Sequence, residues 1–476
     1  MENILIGRNK EISELQRCYE SNRSEFIIVY GRRRIGKTYL VRHCFQDKYD
    51  FMYVGARNLT QQRQLERFAN SLCEFANLIT PPVLKDWFEA FDQLKSYLQS
   101  LPKQRKVIFI DEMPWIDSYK SDFIKALETF WNGWAAMRDD IFFVACGSST
   151  SWMVNNLIEN QGGLHNRITN QIYLRPFNLN ECEQYIESFD FGWDHYQIMQ
   201  CYMALGGVPF YLSLLNPSWS LAQNLDNLFF RRNALLQQEF NELYNALFKH
   251  ADKYIDVVRA LSTKREGLTR QQISEMTGIS GGGLTKILNN LERCDFILQY
   301  AHFGKTKNNS IYRLSDFYTL FYFSFAEKHD GKDERFWTHN MNSPAVRAWQ
   351  GFTFELLCMV HLDQIKQSLG ISGIATESST WRSKDKETEG AQIDLVISRA
   401  DRIISLCEMK FSEEKYGMTE DYAEKLRDRM GIFRQETKTK RGLQNILVTP
   451  FGLTKSKHNG IINNVITAEG LFRAEE

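Results

Sequence analysis

Short, mostly apolar runs recur in the first third of the chain, at 26–30, 51–55, 107–111, 141–145 and 171–175, separated by longer stretches of helical spacing. Uninterrupted apolar runs predict strands covered on both faces, so residues 1–175 should form a parallel sheet layered with helices. Residues 176–250 keep helical spacing without a strand-like run and are broken near the middle by Gly206-Gly207-Val208-Pro209. A helical lid is expected there. From about 345 an apolar helix over 349–368 precedes strand-like segments at 392–398, 402–411 and 444–449, with a helix over 419–436 before the last. This predicts a second α/β unit across 340–476.

Between these parts, 251–330 predicts a helix, a short Leu268-Thr269 entry and a second helix over 270–277. The turn Gly278-Ile279-Ser280-Gly281-Gly282, a third helix over 283–293 and a strand pair within 296–314 follow. That order is the pattern of a winged helix-turn-helix. Ile273, Met276, Ile279, Leu284, Ile287, Leu288 and Leu291 are its expected core. Ser280, Thr285, Lys286, Asn289 and Asn290 stand on or near the open faces. A recognition helix uses such groups in the major groove, with Arg293, Lys305 and Lys307 placed for phosphates, so double-stranded DNA is an expected partner. Winged helices also serve protein contacts, and that alternative stays open.

Composition changes this picture little. The 476 residues are 43% hydrophobic and carry 58 basic against 58 acidic side chains. Ordinary cores are therefore expected, and any nucleic-acid contact must rest on local patches. Nine cysteines without a CxxC pair argue against a disulfide framework and a clustered zinc site. No basic-then-apolar leader opens the chain, and no run approaches the roughly 18 apolar residues that span a bilayer, so a cytoplasmic protein without membrane contact is expected.

The densest chemistry is Gly31-Arg32-Arg33-Arg34-Ile35-Gly36-Lys37-Thr38, set between the apolar run Phe26–Tyr30 and a helical pattern. Two glycines at this spacing let backbone N–H groups wrap phosphates. Lys37 then reaches the β- and γ-phosphates and the Thr38 hydroxyl ligates Mg²⁺, which makes this a P-loop for ATP. Val107–Ile110 ends in Asp111 and Glu112, a Walker B element: Asp111 to hold Mg²⁺, Glu112 to polarise the attacking water. Ala145-Cys146-Gly147-Ser148-Ser149 ends another strand and offers a hydroxyl to the γ-phosphate, from Ser148 or its neighbour Ser149. Arg167, in Gly163-Leu164-His165-Asn166-Arg167, suits an arginine finger supplied by a neighbouring subunit or domain, a hint of a homo-oligomer; by residue type alone it reads rather as an ordinary surface arginine.

Ile6-Gly7-Arg8 with Glu11, the P-loop, the Walker B acids, Cys-Gly-Ser-Ser, Leu-His-Asn-Arg and Gly-Gly-Val-Pro occur in the order that resembles archaeal-type AAA+ ATPases. The likeness is to the signal-transducing AAA+ and STAND branch and covers about the first 250 residues. It implies that Gly7 and Arg8 lie against the nucleotide base, that Arg167 is finger-like, and that Pro209 approaches the nucleotide from the lid. The arginines at 32–34 depart from the pattern and are expected to face solvent or another subunit.

At the far end, Asp394 in Gln392-Ile393-Asp394-Leu395-Val396 is followed fourteen residues later by Glu408-Met409-Lys410. Strand alternation puts Glu408 and Lys410 on one face. Two carboxylates suit a divalent metal, and a lysine beside them suits water activation or phosphorane stabilisation. This spacing resembles the PD-(D/E)xK nuclease superfamily, with Ile393 in place of its proline. The resemblance implies a restriction-endonuclease-like fold with Asp394, Glu408 and Lys410 catalytic. Glu355, Asp394 and Glu408 would hold metal. A salt-bridged hairpin on an inactive nuclease-like fold is the standing alternative.

Overall fold

The structure is a computed structural model that describes residues 5–475 apart from 103, 119, 160–161, 165, 305–309 and 384–390. The chain divides into two units, Met1–Arg175 and Pro176–Glu476. In the first, strands β1 (Glu25–Tyr30), β2 (Phe51–Val54), β3 (Lys106–Asp111), β4 (Ile141–Gly147) and β5 (Asn170–Tyr173) form one sheet in the order β2-β3-β4-β1-β5. Every pairing in it is parallel. Alternate residues explain the unbroken apolar runs. Phe26, Ile28, Ile108, Ile110, Phe143 and Ala145 pack with the helices Gln61–Phe75, Trp87–Ser100 and Phe123–Gly133 on one face. Their neighbours Ile27, Val29, Phe109 and Val144 pack on the other against Leu15, Leu40 and Val41. Local chemistry sets the helix starts: the Thr60 hydroxyl accepts from Arg63 N and the Asp86 carboxylate from Glu89 N, each filling an otherwise orphaned donor.

The second unit opens on the helices Leu179–Ser188 and His195–Leu205, both begun by reciprocal capping boxes. Gly206 ends the latter in the left-handed region. Gly207 follows with φ 62°, where a Cβ would lie 2.2 Å from the Phe177 carbonyl oxygen, so the expected break is a required close approach.

Helices Ala251–Ser262, Arg270–Thr277 and Gly281–Arg293 follow, with an antiparallel sheet of order β6-β8-β7 made of β6 (Leu268–Thr269), β7 (Ile297–Tyr300) and β8 (Ile311–Leu314). Ile273, Leu284, Ile287, Leu288 and Leu291 are buried as expected. Three side chains are not where the pattern puts them, and the first, Ile279, is only half-buried. Met276 is 51% exposed, two residues before Gly278 ends that short helix in the left-handed region. Asn290 is buried, its amide donating to the Tyr254 hydroxyl at 2.7 Å, which satisfies the polar group. Thr285, Lys286 and Asn289 are exposed; Lys305 and Lys307 lie outside the described residues.

The C-terminal sheet has the order β13-β12-β11-β10-β9. Its strands are β9 (Thr376–Arg382), β10 (Gln392–Arg399), β11 (Ile403–Met409), β12 (Gly442–Val448) and β13 (Asn464–Ile466). β9, β10 and β11 pair antiparallel; the helix Glu420–Thr437 then crosses over so that β12 adds parallel to β11. The expected helix over 349–368 is two, Pro344–Val360 and Leu362–Ser368, divided at His361. Among the described residues no helix is long and apolar enough to cross a membrane, and the nine cysteines are free thiols.

Candidate functional site

The loop after β1 carries the first site. Gly31 has φ 142° and Gly36 φ 87°, and Arg34 also adopts a positive φ of 76°. A Cβ on Gly31 would fall 2.2 Å from the Leu174 carbonyl oxygen, so only glycine lets the loop leave the sheet here. Lys37 opens the following helix, and its Nζ donates to the Gly31 carbonyl at 3.0 Å and the Arg32 carbonyl at 2.8 Å. The ammonium is thus held in the hollow of the loop. Of the arginine triplet, Arg32 is 2% exposed, which corrects the expectation that all three face outward; Arg33 and Arg34 are half-buried. Arg8 is buried, its Nη2 donating to the Arg175 carbonyl at 2.7 Å and more weakly to that of Ile35 at 3.4 Å. It ties the Gly7-Arg8 segment to the P-loop; Gly7 itself has φ 62°.

The end of β3 brings two acids to this loop in different bonds. Thr38 Oγ1 donates to Asp111 Oδ2 at 2.7 Å. Glu112, with φ 47°, turns away, and its Oε2 accepts from Ser148 Oγ at 2.8 Å and Ser148 N at 3.3 Å. Burial pushes the Asp111 carboxyl above its usual range, opposed by the Thr38 hydroxyl, the Glu112 N–H and Lys37. Burial likewise raises Glu112, with Lys37 opposing and Asp111 adding to the rise. A cation at this site would favour ionisation of both. Arg167 is exposed and His165 lies outside the described residues; Ile35 is buried in the sheet's core and Pro209 begins a short helix of the second unit.

The second site gathers around β10 and β11. Asp394 sits where the β10–β9 register shifts between Ile393 and Val396, a bulge of the kind that re-aims a side chain, and its Oδ1 accepts from Gln392 Nε2 at 2.6 Å. Lys410 Nζ lies 2.7 Å from Glu408 Oε1, on the same face as alternation requires. Glu408 is more heavily engaged than its motif suggests. Arg429 Nη1 lies 2.6 Å from its Oε2, and the Tyr422 hydroxyl donates to Oε1. Burial alone would raise this carboxyl, but Arg429 and Lys410 overcome it and hold it at about 2. Glu355 is the opposite case: burial pushes it up to about 7, Asp394 adds to the rise, and Arg313 and Lys410 oppose it.

Glu408, one of the three expected metal ligands, faces Lys410 and Arg429. Among the described residues no three His, Cys, Asp or Glu side chains gather as a ready cation cage. Carboxylate oxygens of Asp394 and Glu355 still suit a hard divalent ion. Tyr422 and Arg429 went unnoticed in the sequence, although they stand seven apart, two turns, on one helix.

The raised Glu355 carboxyl gives a pH prediction. An acid whose native pKa lies above its ordinary 4.5 contributes stability below that value, which is lost as pH rises through about 7. The melting temperature should fall between about pH 5 and pH 8, and Glu355→Gln should flatten the fall. A Glu355→Gln profile parallel to the wild type would place the titration elsewhere.

Residues 5–215 match the family model described as an ATPase domain predominantly from Archaea. An uncharacterized protein of Methanocaldococcus jannaschii is 23% identical over 328 residues, 68% of this chain and 69% of that protein. An uncharacterized ATP-binding protein of the same organism is 38% identical over 45 residues, 10% of this chain and 76% of its own length. Among solved structures, the Walker-type ATPase of Pyrococcus abyssi superposes with a TM-score of 0.51 at 16% identity, covering 67% of this chain and 96% of that one. Sheet order, loop geometry and these likenesses agree on a P-loop fold for the first unit, with residues 5–215 similar to an ATPase domain predominantly from Archaea.

Proposed function

We propose that the protein hydrolyses ATP in its first unit and uses the nucleotide state to govern DNA binding and phosphodiester cleavage by its second. The observation that carries the ATPase half is the division of labour between adjacent acids, Asp111 bonded to Thr38 and Glu112 bonded to Ser148. Thr38 and Asp111 supply the oxygen donors that suit Mg²⁺, which when bound neutralises charge on the β- and γ-phosphates. Lys37 exchanges its loop carbonyls for phosphate oxygens. Glu112 orients a water and accepts its proton as the water oxygen attacks the γ-phosphorus and ADP leaves. Ser148 fixes the carboxylate meanwhile. Arg167, exposed on its loop, would complete the site of a neighbouring copy.

For the second unit, three helices with an antiparallel three-stranded sheet support a winged helix-turn-helix, and exposed Thr285, Lys286 and Asn289 suit a duplex groove. Element order and mixed sheet around Asp394 support a PD-(D/E)xK-like fold, with Asp394 and Glu355 as metal-holding oxygens and Lys410 beside them. A second reading, a regulatory ATPase whose nuclease-like fold does not cut, is favoured by one observation: Glu408 is already neutralised by Lys410 and Arg429.

Supercoiled plasmid incubated with Mg²⁺ or Mn²⁺, with and without ATP, separates the two. Cleavage by the wild type that Asp394→Ala abolishes, about a hundredfold or more, supports the first reading. Intact ATP hydrolysis without cleavage by either protein supports the second.

A further inference from the structure

Arg313 lies on β8, in the three-stranded sheet, and no motif drew attention to it. It is 3% exposed, so the whole guanidinium is out of bulk water. Its charge is poorly satisfied. Nη1 has the weak acceptor Met359 Sδ at 3.2 Å, and the guanidinium carbon stands 4.7 Å from the centre of the Phe352 ring. Nε and Nη2 make no hydrogen bond of good geometry among the described residues; the Tyr300 hydroxyl, which donates to the Glu266 carbonyl, stands beside the guanidinium, and Glu355 Oε2 is 3.9 Å from Nη2. That distance gives Coulomb attraction but no hydrogen bond. Burying a guanidinium with its Nε–Nη2 edge unfilled costs stability unless something else fills it.

The Glu355 carboxylate links this guanidinium to the C-terminal constellation. Arg313 acts on Glu355, and so do Asp394, Lys410 and Glu408, so the wing-sheet arginine and the C-terminal constellation meet at one carboxyl group. The backbone explains how it gets there. Beyond β7, Phe303 N donates to the Thr380 carbonyl at 2.7 Å and Thr380 N to that of Ala301 at 3.3 Å, so the two sheets are hydrogen-bonded at the edge strand β9. Arg313 is therefore held by one sheet and presented to the site of the other. The site is open to solvent at its acidic and lysine ends, since the Glu355 side chain is 30% exposed and that of Lys410 34%.

We infer that Arg313 is the phosphate-binding residue of the Asp394 site: when the side chains that cover it part on DNA, its Nε–Nη2 edge takes two non-bridging oxygens of a backbone phosphate. An arginine fork matches a phosphate in two parallel bonds, which a lysine does not reproduce. The inference rests on reading this site as one for phosphodiesters. It adds that the site is composite: the C-terminal sheet supplies the carboxylates and Lys410, the wing sheet supplies the anion clamp. A shift of the wing sheet on duplex DNA would move the clamp directly.

The test is binding of a short duplex to the full-length protein in EDTA across a salt series, where no cutting intervenes. Arg313→Gln should weaken binding about tenfold and lower the salt slope by about one, with ATP hydrolysis and melting temperature close to wild type. Duplex affinity and slope equal to wild type in Arg313→Gln would overturn the inference, whatever cleavage does. Should Arg313→Gln fail to fold, Arg313→Lys keeps the charge without the fork: binding weakened several-fold supports the clamp, and unchanged binding overturns it. Inorganic phosphate titrated at constant ionic strength distinguishes the other source. If it binds the wild type but not Arg313→Gln while duplex affinity is unaltered, the residue serves free phosphate and the assignment to DNA is wrong. If Arg313→Gln loses duplex affinity but the wild type cuts nothing with any metal, the clamp stands and the phosphodiesterase reading falls.

Discussion

Lys37→Ala should abolish tight ATP binding, whereas Glu112→Gln should bind ATP like the wild type and hydrolyse it about a hundred- to a thousandfold more slowly. The contrast follows from what each side chain touches. Lys37 is 6% exposed with its ammonium facing two loop carbonyls, so removing it leaves a hollow lined by partial negative charge where phosphates must sit. The loss should be of the size seen when one member of a buried charged pair is truncated, about 2–5 kcal/mol. Glutamine keeps the shape of Glu112 and a hydrogen-bonding oxygen for Ser148, but takes up no proton from water. Binding of a fluorescent ATP analogue and phosphate release, measured on the same preparations, separate the two. Hydrolysis at the wild-type rate in both variants would remove the catalytic assignment of this loop.

The second large effect is expected from one methyl group. Gly31→Ala places a Cβ 2.2 Å from the Leu174 carbonyl oxygen and 2.7 Å from Ile35 Cδ1, at a φ of 142° that L-residues rarely adopt. The oxygen belongs to backbone that continues β5, where Leu174 N donates to the Tyr30 carbonyl at 2.8 Å, so it has little room to retreat. Either the loop moves or that hydrogen bond opens. Overpacking together with backbone strain should cost about 2–4 kcal/mol and also displace Lys37, which depends on the Gly31 carbonyl. Chemical denaturation read beside ATP affinity checks this. A variant as stable as wild type with normal affinity would show that the loop relaxes freely. Gly36→Ala makes a useful contrast, since nothing stands within 4 Å of its added Cβ and only the φ of 87° opposes it.

The apolar runs of the first unit were legible because strands buried on both faces carry no polar interruption, and the loop chemistry was legible because phosphates demand glycine, lysine and hydroxyl at fixed spacing. Other parts were hidden for physical reasons. β9 reads Thr-Glu-Ser-Ser-Thr-Trp-Arg, a polar edge strand in which Trp381 is the one large apolar anchor, so neither alternation nor an apolar run announces it. The break at His361 was invisible because apolar residues continue on either side. There the ring is buried, with Nε2 accepting from Leu179 N at 3.0 Å, a partner 182 positions away. The burial of Arg32 inside a triplet of identical residues has no signature in the chain.

Sequence by itself determined most of the elements and the candidate reagents: which apolar runs become strands, where glycine must stand, and that Lys37, Thr38, Asp111, Glu112, Asp394, Glu408 and Lys410 stand at spacings that suit phosphate and metal chemistry. Local spacing encodes these, through strand alternation and turn geometry. Tertiary structure alone decided their state. It bonded Asp111 to Thr38 and Glu112 to Ser148, committed Glu408 to Arg429 and Lys410, raised Glu355 by burial, and carried Arg313 from another sheet to the same carboxyl. Protonation and charge pairing depend on distance and desolvation, and those arise only when segments far apart in the chain are packed together.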